Sequence, residues 1–207
     1  MPSAEPIETI EARTDPAPAA PGTADPGALG LAGFAMTTFV LSVFNAGLLS
    51  ESLEPVVLPL ALFYGGLGQL LAGMWEFKRG NTFAATAFSS YGAFWLAFAA
   101  YVHSVVPTLD ESKAGSATGL FLLGWAVFTA YMTVASLRTS VAIVAVFVPL
   151  TLTFAVLAIG AFAGSTGIDR LGGWLGLLTA LTAWYASFAT VANSTWKREV
   201  IPTRPLA

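Results

Sequence analysis

Cysteine is absent from this 207-residue chain, histidine occurs once, and Lys, Arg, Asp and Glu together make up only 10% of it. Without cysteine there is no disulfide, no thiolate nucleophile and no cysteine metal site. An ordinary globular domain is about 25% charged, so this chain lacks the polar surface that a water-soluble core requires. Its 9 basic residues are outnumbered by 12 acidic ones that crowd towards the N-terminus, which leaves no basic footprint for nucleic acid. Acid–base or metal catalysis needs His, Asp or Glu converging in a cavity. The candidates Glu76, His103, Asp110, Glu111 and Asp169 instead fall at the ends of apolar runs. The sequence therefore predicts no enzyme, no cofactor and no metal site.

Hydrophobic residues, in contrast, make up 56% of the chain. They are gathered into uncharged runs near Leu29–Ser50, Val56–Trp75, Ala84–Val106, Ser116–Ser136, Val141–Phe162 and Gly172–Ala192. Each is long enough, at about 1.5 Å per helical residue, to cross a hydrocarbon core of roughly 30 Å. A β-barrel would need alternating segments of about ten residues, and these runs are continuous. The expected fold is an all-α membrane protein with six transmembrane helices in one bundle spanning residues 27–195. A Pro-, Ala- and acid-rich stretch over residues 1–26 reads as a disordered cytoplasmic tail, and residues 196–207 read as a short cytoplasmic C-terminal tail.

Arg13, Lys78, Arg79, Arg138, Lys197, Arg198 and Arg204 fall on one side of the six runs, and only Lys113 and Arg170 on the other. The positive-inside rule then predicts that both termini are cytoplasmic, in a multi-pass protein of the plasma membrane. Trp75, Trp174 and Trp196 stand at run ends, where an indole suits the headgroup level.

Neutral polar residues inside the runs must face protein or water, because lipid offers them no hydrogen bond. Phe34, Thr38, Ser42 and Asn45 share one stripe of the first helix, which reads either as a pore lining or as hydroxyls bonded to their own helix with Asn45 joining two helices. In the second run, Gly65, Gln69 and Gly73 recur every four residues, either a small-residue packing face or a weak anion site around Gln69. Pro149 cannot donate to the carbonyl of Ala145, and Thr151 or Thr153 is expected to satisfy the freed oxygen. No Asp, Glu or His lies inside a run except His103, near the end of the third and read as a solvated or capping residue. A proton moving with a substrate would travel as the neutral acid, or as an ion pair assembled at a mouth near Glu76, His103 or Asp110.

Several strings carry a family resemblance: DPGALGLAGF with TTFVLSVFNAG behind it, FYGGLGQLLAGMWEFKRGNTF, TAFSSYGAFW, LLGWAVFTAYM, FAVLAIG and GWLGL. Together they cover nearly all of residues 25–202 and resemble the acetate uptake transporters. The family's opening motif, Asn-Pro-Ala-Pro-Leu-Gly-Leu, is similar to the stretch containing Asp25, Pro26, Leu29, Gly30 and Leu31, with Asp25 in place of the Asn and Ala28 in place of the second Pro. The resemblance implies a homo-hexamer in which each protomer has its own path for acetate and, in some members, succinate. It implies an apolar constriction of Phe34, Tyr91 and Leu150, where Tyr91 would offer its hydroxyl to a passing carboxylate. Gln69 matches a polar path residue, and the polar stripe of the first helix adds Thr38 and Asn45 as candidate substrate contacts. The expected function is therefore a lipid-embedded permease for small carboxylates, with proton coupling compatible with it. The alternatives are a facilitator for ammonia or another small solute, or a membrane sensor or scaffold with a closed path.

Overall fold

The computed structural model describes residues 22–206, so the expected N-terminal tail lies outside the described residues as far as residue 21. Six helical spans are long and apolar enough to cross a membrane. The first is α1 (Gly27–Asn45). The second is a composite rod in which a 3-10 turn at Glu51–Val56 leads into α2 (Val57–Leu62), a π-helical turn at Phe63–Gly68 and α3 (Gln69–Arg79). The third is α4 (Thr82–Ala100), continued by a π-helical turn at Tyr101–Val105. It is followed by α5 (Glu111–Ser136), α6 (Val141–Ala163) and α7 (Thr166–Trp196). The described residues contain no β-strand, only an isolated bridge between Ser140 and Pro205.

Several spans run past their apolar stretches, the fourth among them, whose helix α5 starts at Glu111. The second continues to Arg79 rather than ending near Trp75, and the sixth starts at Thr166 rather than near Gly172. Glu76 and Asp169 are therefore helical residues, which corrects the reading that the spans are free of acids. Hydropathy marks where apolar side chains stop, whereas a helix stops at a backbone signal. For α3 that signal is Gly80, at φ +74°, followed by Asn81, whose side chain accepts from Ala84 N–H at 3.2 Å and starts α4.

Small residues set the packing. α1 lies between α7 and the rod of α2 and α3, α4 lies along α3, and α6 lies between α5 and α7. A Cβ added at Gly173 would collide with the backbone at Asn45 and Ala46, and one at Gly65 would meet Thr37 Oγ1 at 2.6 Å. Such close helix approach is what drives association where lipid removes the hydrophobic incentive. The π turn at Phe63–Gly68 falls where Gly33 of α1 comes closest to the rod, packed against the Tyr64 carbonyl. Between α4 and α5 the gap is filled by rings: Phe94 stacks on Phe121 at 5.8 Å and meets Trp125 edge-on at 5.0 Å.

The hydroxyls around Pro149 differ from expectation. Thr151 donates to the Phe147 carbonyl at 2.9 Å and Thr153 to the Pro149 carbonyl at 2.8 Å, so each satisfies its own i−4 position rather than Ala145. The residues after Trp196 fold back on the bundle. Val141 and Ala142 at the start of α6 donate to the carbonyls of Arg204 and Thr203, and the Tyr185 hydroxyl donates to the Pro202 carbonyl at 2.6 Å. Trp75, Trp174 and Trp196 are about half exposed, Trp196 closing α7 while Trp75 and Trp174 lie one and two turns inside their helices, and Leu120, Val127 and Val134 of α5 point outwards.

Candidate functional site

Two cavities enter the bundle from opposite ends and meet at its middle. The first, about 210 Å³, is walled by Asp25 and Leu31 at the start of α1, Gln69 and Glu76 of α3, and Phe88 and Tyr91 of α4. The second, about 380 Å³, is walled by Thr38, Ser42 and Asn45 of α1, Trp95 of α4, Thr153 of α6 and Asp169 of α7. Phe34 and Leu150 line both cavities. They stand at the partition, 2% and 3% exposed, with the Phe34 ring 5.7 Å from that of Tyr91. Either cavity has room for several waters, at about 30 Å³ each, or for a small carboxylate.

The α1 stripe explains half of this. Residues spaced by three and four lie on one face of a helix, so Phe34 stands at the partition while Thr38, Ser42 and Asn45 descend into the second vestibule. Gln69 and Glu76 are seven apart on α3 and likewise share a face, which fronts the first vestibule. Both are 1% exposed, and Gln69 Oε1 and Glu76 Oε2 have no hydrogen-bond partner. At the mouth, Arg79 Nη1 lies 2.8 Å from Asp25 and 3.5 Å from the other Glu76 oxygen. Asp25 also accepts from Gly27 N–H at 2.8 Å, which fixes the start of α1. In the second vestibule, Thr38 Oγ1 and Trp95 Nε1 are buried without partners. Among the described residues, no Lys, Arg or His lines either cavity.

The Tyr91 hydroxyl is not free for a passing solute. It pairs with Thr129 Oγ1 at 2.9 Å, and Thr129 spends its own proton on the Trp125 carbonyl at 2.7 Å. Tyr91 is therefore the donor to Thr129, so its ring alone faces Phe34, a correction to the expected role of the hydroxyl.

The model of the GPR1/FUN34/yaaH family matches residues 9–207. This chain belongs to the GPR1/FUN34/yaaH family. Ammonia transport outward protein 2 of Saccharomyces cerevisiae is 45% identical over 175 residues, covering 82% of this chain and 62% of the yeast protein. The chain thus spans less than two thirds of that relative's length. The succinate-acetate/proton symporter SatP of Escherichia coli is 41% identical over 181 residues, covering 86% of this chain and 94% of SatP. The solved structure of the bacterial acetate channel SatP superposes with a TM-score of 0.82 at 39% identity, covering 88% of this chain and 99% of that one.

Within this GPR1/FUN34/yaaH protein the opening motif divides its residues. Asp25 and Leu31 reach the first vestibule and the Pro26 carbonyl accepts from Gly30 N–H at 3.0 Å. Gly30 is held against the Phe88 ring, whereas Leu29 is 45% exposed and turned away. His103 is exposed and lines neither cavity, and Asp110 pairs with Lys113 at 2.8 Å on the surface. Sequence reading placed Glu76 at a mouth but not as a buried residue of the cavity wall, and missed Trp95 and Asp169 as cavity residues and Thr129 as the anchor of Tyr91. Helical spacing carried the first two, since Glu76 follows Gln69 by seven and Trp95 follows Tyr91 by four. Nothing in the sequence joins Thr129 to Tyr91.

Proposed function

We propose that this chain is a plasma-membrane transporter of small carboxylates, acetate first and succinate second, that moves the substrate together with a proton. The observation that carries this reading is the pair of vestibules parted at Phe34 and Leu150, each with a few polar side chains on largely apolar walls and with no basic side chain lining it, Arg79 standing only at the first mouth. A bare anion in such a path meets no cation to replace its hydration, whereas a neutral acid crosses the apolar partition at little cost. The relatives named for acetate and for succinate-acetate/proton symport support the same substrate class. The same reading takes Phe34, Tyr91 and Leu150 as the constriction and Gln69, Thr38 and Asn45 as substrate contacts. It takes both termini as cytoplasmic, and the outward apolar faces of α5 and α7 as lipid and subunit contacts of a homo-hexamer.

Without Arg or Lys in the path, binding is weak: half-saturation is expected near millimolar acetate, about −4 kcal/mol. Proteoliposomes loaded with the purified protein test the reading by uptake of labelled acetate with succinate and ammonium as competitors. Competition by succinate and indifference to ammonium support it. Ammonium competition without acetate uptake would favour the second reading, an ammonia facilitator, which the name of the yeast relative and the neutral walls both suit.

A further inference from the structure

The first vestibule carries a charge imbalance that the carboxylate path does not itself require. One guanidinium, Arg79, serves two carboxylates. It sits against Asp25 at 2.8 Å and is a full 3.5 Å from Glu76, and the Asp25 side chain is 43% exposed against 2% for Glu76. Water supports the charge of Asp25, so the cluster's excess negative charge falls on Glu76, the carboxylate least able to hold it. The far oxygen of Glu76 is buried on the cavity wall with no partner, and two helical turns deeper Gln69 presents a second unpartnered oxygen. The groups that face Glu76 are few. Arg79 is on its own helix, and Asp25 comes from the segment before α1. Among the described lining residues, α4, α6 and α7 bring only apolar side chains, Tyr91 and the Thr190 hydroxyl, Thr139 stands in a loop, and Asn81, in the turn after α3, offers its side-chain amide to Glu76.

We propose that Glu76 is the proton-binding residue of the path, a carboxyl that loads one proton onto each carboxylate substrate before it crosses between Phe34 and Leu150. The inference rests on the carboxylate-transport reading. Glu76 takes a proton from vestibule water on its unpartnered oxygen, which removes its charge and leaves Arg79 to Asp25. The carboxyl O–H then donates to an oxygen of the entering carboxylate, and the proton passes along that hydrogen bond. The O–H bond at Glu76 breaks as the O–H bond of the acid forms, so acetate plus one proton leaves as acetic acid and Glu76 returns to the carboxylate facing Arg79. Gln69 lies next on the same face with an acceptor for the acid's O–H. The exchange is reversible and serves transport in either direction. It places a titratable group inside a membrane-spanning helix, where such groups mark ion and proton routes.

The test is labelled acetate uptake into proteoliposomes, corrected for protein-free vesicles, driven either by a pH gradient or by a potassium-diffusion potential. Wild type is expected to follow the pH gradient and ignore the potential. Glu76→Gln keeps the hydrogen bonding but cannot carry the proton, so it should lose at least about tenfold of the pH-driven rate, the span of one pH unit. Its residual flux should follow the potential. Uptake by Glu76→Gln that still follows the pH gradient overturns the proposal, since the proton then comes with bulk acid. A wild type that moves no acetate above protein-free vesicles refutes the transport reading itself, a different outcome. If Glu76→Gln fails to insert, carbodiimide labelling of the wild-type protein with peptide mapping decides. Labelling at Glu76 that rises as pH falls and is blocked by acetate supports the proposal. Labelling indifferent to acetate overturns it.

Discussion

The two vestibules differ in kind as well as in size. In the first, the buried groups left without partners are acceptors, Gln69 Oε1 and Glu76 Oε2. In the second, they are Thr38 Oγ1 and Trp95 Nε1, both able to donate. Donors suit a carboxylate anion and acceptors suit the O–H of a neutral acid. The partition at Phe34 and Leu150 therefore separates a side with spare acceptors, where Glu76 hands over its proton, from a side with spare donors, where Asp169 also stands on the wall. An orphaned buried group costs about 1–3 kcal/mol, and retaining two on each side is understandable if the substrate or its water completes them.

Merging the two sides should have the largest effect. Leu150→Ala removes the bulk shared by both cavities. A fall of about 1.4 kcal/mol in the crossing barrier would raise acetate flux about tenfold. Discrimination against larger carboxylates should weaken with it, and uptake of labelled acetate, succinate and a longer homologue measures both. Because a Leu→Ala change in a packed site costs about 2–5 kcal/mol of stability, detergent-extracted protein should be checked for its elution profile. Unchanged selectivity in a folded variant would remove Leu150 from the partition.

Stripping one side at a time is the next test. Gln69→Ala deletes a partner of the first vestibule, and Trp95→Phe replaces the indole of the second by a smaller phenyl ring and so deletes its N–H. Each loses about 1 kcal/mol, or about fivefold. Gln69→Ala should lower the maximal rate and Trp95→Phe should raise the half-saturating acetate concentration. The same parameter moving in both variants would show that the vestibules do not differ as described.

The charge cluster predicts a smaller shift. Asp25→Asn releases Arg79 to Glu76. An exposed ion pair is worth about 0.2–1 kcal/mol, so the pH at which uptake is half-maximal should fall by about half a unit, given about 1.4 kcal/mol per unit. A rise instead would reverse the assigned geometry of the cluster. Smallest of all is His103→Gln. That residue is exposed and outside both cavities, and its variant should keep the wild-type rate and pH profile. A profile displaced by a unit or more would make it part of the proton route.

The bundle was legible because six runs without charge have one outcome in a bilayer, and the stripe from Phe34 to Asn45 was legible because helical spacing fixes a shared face. The end of α3 was harder to read. Apolarity fades at Trp75 while backbone hydrogen bonding continues to Gly80, and Glu76 lies in that margin, polar by composition yet buried by packing. Tyr91 was legible as a ring and not as a hydroxyl. Its partner Thr129 comes from another helix 38 residues away, and only the tertiary structure brings them together. The choice between a lining and a packing role for Gln69 could not be made from spacing, because both need the same neighbouring glycines. The cavity on one side and the missing partner on the other are what favour the lining role.

The measurement that bears most directly on a path that carries its substrate across the partition as the neutral acid is acetate uptake by wild-type proteoliposomes under opposed driving forces. An inward proton gradient with the membrane potential clamped at zero should drive accumulation of labelled acetate above its external concentration. A potassium-diffusion potential at equal pH should drive none. Uptake that follows the potential and ignores the proton gradient would mean that the bare anion crosses between Phe34 and Leu150, and would contradict the account.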